Sequence, residues 1–358
     1  MTKFLQVLLF PLALCYGLII QIRNLLFNIR ILPSKQFPIP IISIGNLSVG
    51  GTGKTPHIEY LIRLLHTAFG VATVSRGFGR ESKGFIEASK SSDARQIGDE
   101  PMQFVNKFDD IFVAVDEKRT RGISFLLERH PDCQVILLDD AFQHRYVKPG
   151  LSILLTDYHK LYCDDFMLPA GTLREFSCGA TRADIIVVTK TPKIFSPITR
   201  RRILEDLKAS PHQQIFFSYI TYGIPYQVFS TCDIMVPSKI TSILLFTGIA
   251  SDYPLREHLE RMCSDLVVEK FPDHHSFSQK DIEKIIGRFN DLPTQKKIMT
   301  TTEKDVMRLK NQEFADYFKN LPLFCIPMEV EFHKTDKITF DEAILRYVKE
   351  NNRNSRIS

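Results

Sequence analysis

One stretch limits the fold more than any other: GNLSVGGTGKTP, Gly45 to Pro56, directly after the apolar run Ile39–Ile44 and ahead of an amphipathic segment from His57 to Ala68. A loop that cradles phosphates needs glycines so that successive backbone N–H groups turn toward the anion. It also needs a lysine to reach the β and γ oxygens, and a hydroxyl at the helix start for Mg²⁺. Ser48, Val49, Gly50, Gly51, Thr52, Gly53, Lys54 and Thr55 supply these parts in a strand–loop–helix context, with Ser48 standing where the usual pattern opens on glycine.

The rest of the chain fits that frame. Apolar runs at Val71–Ser75, Ile111–Val115, Val135–Leu138, Leu151–Thr156, Ile185–Thr189 and Ile215–Tyr219 alternate with amphipathic stretches such as Arg119–Arg129. Continuous β-branched runs of this kind indicate strands buried on both faces by helices. A new series follows a mixed stretch near Pro237, with strands at Ile243–Phe246, Val267–Phe271, Lys297–Thr300 and Phe324–Val330 and a last helix at Phe340–Val348. The expected organisation is α/β. It comprises an N-terminal hydrophobic helix (1–32), a P-loop NTPase-like parallel-sheet domain (33–237), a second, smaller α/β domain (238–350) and a polar tail (351–358).

The N-terminal run from Phe4 to Ile22 carries no charge between Lys3 and Arg23. Nineteen helical residues reach roughly 28 Å, close to a bilayer's hydrocarbon thickness. Pro11 interrupts the run, and Gln21, Asn24 and Asn28 recur at helical spacing, which favours an amphipathic helix lying in the interface over one that spans. A cleaved export signal conflicts with a phosphate loop that needs cytoplasmic nucleotide. The balance of 46 basic against 41 acidic residues is too even to imply nucleic acid but suits an anionic lipid surface. Seven cysteines without a CxxC pair fit neither a disulfide framework nor a zinc ribbon.

Downstream of the loop, QVILLDDAFQHR ends a strand on Asp139 and Asp140. Adjacent side chains of a strand point to opposite faces, so one of the two faces a bound cation. His144, four positions on, fits a packed histidine better than a catalyst. Guanine recognition is disfavoured, because VVTKTP puts Pro192 where an [NT]-K-x-D element needs aspartate. Val49 likewise replaces the extra lysine of the membrane-cycling ATPases with a KGGxGK loop. Further polar clusters stand at SRGFGR (Arg76–Arg80), IGDEP (Asp99, Glu100), LPAGTLRE (Arg174, Glu175), FPDHHSF (His274, His275) and TTEKD (Thr301–Asp305).

Taken together and in order, GNLSVGGTGKTP, SRGFGR, GDEP, LDDAFQHR, LPAGTLRE, FPDHHSF and TTEKD resemble the motifs of the tetraacyldisaccharide 4'-kinases, or lipid A 4'-kinases, from about residue 40 to 310. The resemblance implies ATP- and Mg²⁺-dependent phosphorylation of the 4'-hydroxyl of the lipid A disaccharide-1-phosphate precursor. It implies a peripheral or singly anchored enzyme on the cytoplasmic face of a bacterial inner membrane, with its N-terminal helix touching lipid. Carried over, it makes Lys54 and Thr55 phosphate and Mg²⁺ ligands and sets Asp139 or Asp140 with Glu175 around the metal. Asp99 becomes the base, assisted by His274 or His275, and Arg76, Arg119 and Arg174 bind phosphate charge. Two positions depart from the family pattern: Ala141 stands where glycine is usual, and GIASDYP (Gly248–Pro254) where GIGNP is usual. The rival reading is a membrane-anchored P-loop ATPase acting on a protein partner, though no protein partner is evident.

Overall fold

The computed structural model describes residues 3–229, 240–249, 251–273, 275–309 and 312–355. Its first sheet is built from β1 (Ile41–Asn46), β2 (Val71–Ser75), β3 (Ile86–Glu87), β4 (Ile111–Val115), β5 (Val135–Asp139), β6 (Leu151–Asp157), β7 (Ile185–Thr189) and β8 (Gln214–Tyr222). The second contains β9 (Tyr226–Gln227), β10 (Ser242–Thr247), β11 (Asp265–Lys270), β12 (Lys297–Thr302) and β13 (Leu323–Ile326). A last strand, β14 (Met328–Phe332), returns to the first sheet and runs antiparallel to β8.

The first sheet has nine strands in the order β14-β8-β7-β6-β1-β5-β2-β4-β3, parallel except at its two edge strands. The helices are α1 (Lys3–Asn28), α2 (Lys54–Leu65), α3 (Ala94–Ile97), α4 (Asp99–Lys107), α5 (Arg119–Arg129) and α6 (Pro197–Leu207), followed by α7 (Tyr253–Glu260), α8 (Gln279–Asn290), α9 (Glu303–Leu309), α10 (Gln312–Phe318) and α11 (Lys334–Ser355). Strand β5 enters beside β1, so Ile44 and Asp139 are register partners and the aspartates emerge next to the loop that β1 feeds. Strand order reverses around β1, the place where open α/β sheets leave a crevice for ligand.

The second sheet runs β11-β10-β12-β13-β9, parallel but for the short β9. The expected strand Phe324–Val330 is two strands in different sheets, divided at Pro327, whose missing N–H cannot serve a ladder. Residues 328–350 therefore do not belong with the second sheet, as the sequence pattern suggested. Phe332, Phe340, Ile344 and Val348 pack in the core of the first, with Ile58, Ile62 and Phe216. The boundary expected at 237–238 lies outside the described residues.

Helix α1 corrects another expectation. It is long and apolar enough to cross a membrane by length and composition, yet a narrow face of it lies on the protein. Leu9, Ala13 and Tyr16 join a cluster with Leu161, Met167, Leu173 and Phe176. Of the polar positions, Asn24 is buried and donates to Glu175 at 3.0 Å, whereas Gln21 and Asn28 are exposed, Asn28 accepting from Arg145 at 2.7 Å. Most of what α1 leaves exposed is apolar, including Phe4, Val7, Leu8, Leu12, Leu18 and Ile19. An apolar face of this size on a folded chain calls for a lipid or protein cover.

Candidate active site

The loop is shaped first by its own backbone. Gly53, the residue before α2, has φ +86°, and Gly50 has φ +122°, both in the region that favours glycine. Asn46, buried at the end of β1, donates to the Thr52 hydroxyl at 2.9 Å and accepts from the Lys54 ammonium at 3.4 Å. His57 braces the first turn of α2. Its Nδ1–H donates to the Gly53 carbonyl at 2.7 Å, and its Nε2 accepts from the Ser218 hydroxyl at 3.0 Å. Burial lowers the His57 pKa to about 4, so the ring is neutral and keeps that tautomer.

A second segment, 165–175, is stapled over the loop: Val49 N–H donates to the Thr172 carbonyl and Arg174 N–H to that of Leu47, each at 2.7 Å. Arg174 then reaches both oxygens of Asp140 at 3.0 Å, and Lys54 lies 3.7 Å from the same carboxylate. Asp140 has φ +44°. The left-handed residue of this turn is thus the aspartate and not Ala141.

Asp139 is 2% exposed, and its Oδ1 has no hydrogen-bond partner. Burial raises its pKa to about 8, aided by repulsion from Glu100 and Asp140 and opposed by Lys54 and Lys304. An orphaned, buried carboxylate oxygen beside a phosphate loop fits a hard divalent cation, as does the Thr55 hydroxyl, which donates to Glu100 Oε1 at 3.3 Å. Among the described residues no three His, Cys, Asp or Glu side chains form a ready-made metal cage.

A cavity of about 330 Å³ opens over these groups. Val49 to Thr55, Asp140 and Arg174 line it from the first sheet, and Thr302, Glu303 and Lys304 from the second. Asp99 begins α4 and accepts a hydrogen bond from Arg308 Nε of α9 at 2.8 Å, with Nη2 of the same guanidinium in ion-pair contact at 2.7 Å. Arg119 is 5% exposed with its Nε unpartnered. Burial lowers its pKa to about 10 against the pull of Asp140, with Arg76 repelling it. His144 lies in the same positive field, its pKa brought to about 4 by burial and then by Arg119, Arg23 and Arg76.

Two expected site residues have partners of their own. The Glu175 Oε1 accepts from Arg182 at 2.8 Å and Gln143 at 3.1 Å, and its Oε2 from Asn24, which ties α1 to this cluster. His275 stacks on Phe271, its Nε2 lies 3.0 Å from Asp281 at the start of α8, and its Cβ faces Gly248, whose carbonyl accepts from the same Arg308 that pairs with Asp99. His274 lies outside the described residues. The sequence reading missed Asn46, His57, Glu100 and Lys304 as site residues. Glu100 and Lys304 stood in noted motifs, but their side chains meet only through the packing of α4 on α9.

A loop at the switch point of a parallel sheet, with its lysine, hydroxyl and Asp140 lining one cavity and Asp139 buried at the same strand end, defines a P-loop phosphotransferase. The family described as "Tetraacyldisaccharide-1-P 4'-kinase" matches residues 5–349. Tetraacyldisaccharide 4'-kinase of Bacteroides thetaiotaomicron is 46% identical over 98% of this chain and 95% of its own length. That of Flavobacterium johnsoniae is 48% identical over 97% and 98%. The crystal structure of LpxK from Aquifex aeolicus in complex with ATP superposes with a TM-score of 0.73 at 27% identity, covering 96% of this chain and 99% of that one. This chain belongs to the tetraacyldisaccharide 4'-kinase family.

Proposed function

We infer that this chain transfers the γ-phosphoryl group of ATP to the 4'-hydroxyl of a tetraacyldisaccharide 1-phosphate at a membrane surface, on the side that holds ATP. The observation that carries the lipid part of this reading is the pair Arg174 and Glu175. One neighbour reaches the Asp140 carboxylate over the phosphate loop, and the other holds Asn24 of the lipid-ready helix. Nucleotide site and apolar helix are thus coupled through adjacent residues, which keeps a lipid-borne hydroxyl within reach of the cavity.

Loop N–H groups and Lys54 hold the phosphates. Thr55 and Asp139 would hold Mg²⁺, with Asp140 and Glu100 in support, and the cation would neutralise charge that builds on the transferred group. Asp99 accepts the proton as the acceptor oxygen bonds to the γ-phosphorus and the bond to the β–γ bridging oxygen breaks, releasing ADP. Arg174 steadies phosphate charge at the cavity. Arg76 and Arg119, with the unpartnered Nε of Arg119, suit the 1-phosphate of the acceptor. The two sheets act as lobes that close over ATP and exclude water. Purified protein incubated with labelled ATP, Mg²⁺ and the disaccharide 1-phosphate in detergent tests the reading. A phosphorylated lipid product is expected, and ATP hydrolysis without one would overturn it.

A further inference from the structure

Helix α9 of the second sheet meets α4 of the first through three charge pairs: Asp99 with Arg308, Glu100 with Lys304 at 2.8 Å, and Lys107 with Glu303 at 2.8 Å. The outer two join elements around the cavity. The Glu100 pair differs, because Lys304 and Thr55 address the same oxygen, Glu100 Oε1, from opposite sheets. Thr55 is the hydroxyl that a P-loop aims at its metal. The Lys304 ammonium also acts on Asp139, whose pKa it draws down, and its side chain lines the cavity while only 26% exposed. Burial opposes the charge on Lys304, but the attraction of Glu100 outweighs it and holds its pKa above the ordinary lysine value.

We propose that Lys304 is a resident counter-cation: its ammonium neutralises the Glu100 and Asp139 side of the site until a metal–nucleotide complex arrives and displaces it. The proposal rests on the Mg²⁺–ATP reading above. Two cations cannot share Glu100 Oε1 and the Asp139 side without strong repulsion, so one leaves as the other binds. Lys304 belongs to α9, and its release breaks one of the three α4–α9 pairs while Asp99–Arg308 and Lys107–Glu303 hold. Metal loading is thereby felt by the second sheet without parting the two.

The test reads metal occupancy rather than turnover. Mn²⁺ is titrated into nucleotide-free protein and followed by electron paramagnetic resonance. Lys304→Met is expected to bind Mn²⁺ at least about tenfold more tightly than the unaltered protein, the order of effect, at high effective dielectric, of removing one like charge a few ångströms from a dication. Lys304→Arg is expected to stay near the unaltered value. Unchanged or weaker Mn²⁺ binding by Lys304→Met overturns the proposal. A second measurement needs no variant beyond assignment: ¹⁵N-lysine spectra of the unaltered protein follow the Lys304 ammonium. Mg²⁺ with ADP is expected to shift it out of its Glu100 pairing, whereas ADP alone is expected to leave it there. Persistence with Mg²⁺–ADP, or equal release by ADP alone, overturns the proposal. No acceptor is present in either measurement, so failure here is distinct from failure of the lipid assay, which reads product.

Discussion

Arg308 of the second sheet holds one oxygen of Asp99, the first residue of α4, through an Nε hydrogen bond at 2.8 Å and an ion-pair contact from Nη2 at 2.7 Å. The same guanidinium donates to the Gly248 carbonyl at 3.0 Å and to Asp305 at 3.2 Å. The proposed base is thus held by the lobe that must move if the cleft closes, and its position is set across the joint. Asp99→Ala is expected to lower kcat by about 10²–10⁴, the usual worth of a positioned base. Its ATP dissociation constant, read by calorimetry with Mg²⁺, is expected to change less than about twofold. Loss of ATP binding in this variant would make Asp99 a structural or metal residue.

Lys54→Ala removes the only lysine of the loop. Turnover is expected to vanish in the labelled-ATP assay, and ATP affinity to fall at least tenfold, roughly the loss of one charge-assisted contact. A variant that keeps wild-type affinity and rate would show that the phosphates are held elsewhere.

Glu175→Ala separates the anchoring role from a metal role. Truncation leaves Arg182 without its partner and Asn24 without its acceptor, and breaking a buried pair costs about 3–5 kcal/mol. Thermal unfolding in detergent is expected to shift down by several degrees, with Mg²⁺ dependence of ATP binding unaltered. A stable variant with weakened metal dependence would return Glu175 to the metal.

The buried neutral His57 makes stability depend on pH with a definite sign. The unfolded chain takes up a proton near pH 6.5 while the folded ring resists down to about 4. Stability from this group is therefore present above pH 6.5 and is lost as pH falls toward 4, by up to about 3 kcal/mol. His144, lowered for similar reasons, adds in the same direction. In urea unfolding at pH 7 and pH 5, His57→Gln is expected to lose less stability between the two than the unaltered protein. An equal or larger loss would show that His57 is not the group that titrates.

Sequence alone carried the local and periodic parts of this protein. The phosphate loop is contiguous, and buried parallel strands announce themselves as continuous β-branched runs, which is why β2, β4 and β7 coincide with the runs read from the sequence. Asp139 and Asp140 were legible as a strand end, and the apolar helix as a run without charge. Tertiary structure decided what depends on partners far along the chain. Glu100 and Lys304 are 204 positions apart and Asp99 and Arg308 209, so no spacing rule links them. Asn24 reads as part of a wet face until Glu175, 151 positions on, takes it. Pro327, one residue in an apolar run, sends the chain from one sheet to the other because a ladder cannot use a nitrogen without a hydrogen. The family motifs singled out Glu175 and His275, and the structure adds the partners Arg182 and Asp281 that no motif names. Residue type and spacing do not record which hydrogen bonds a side chain has already made.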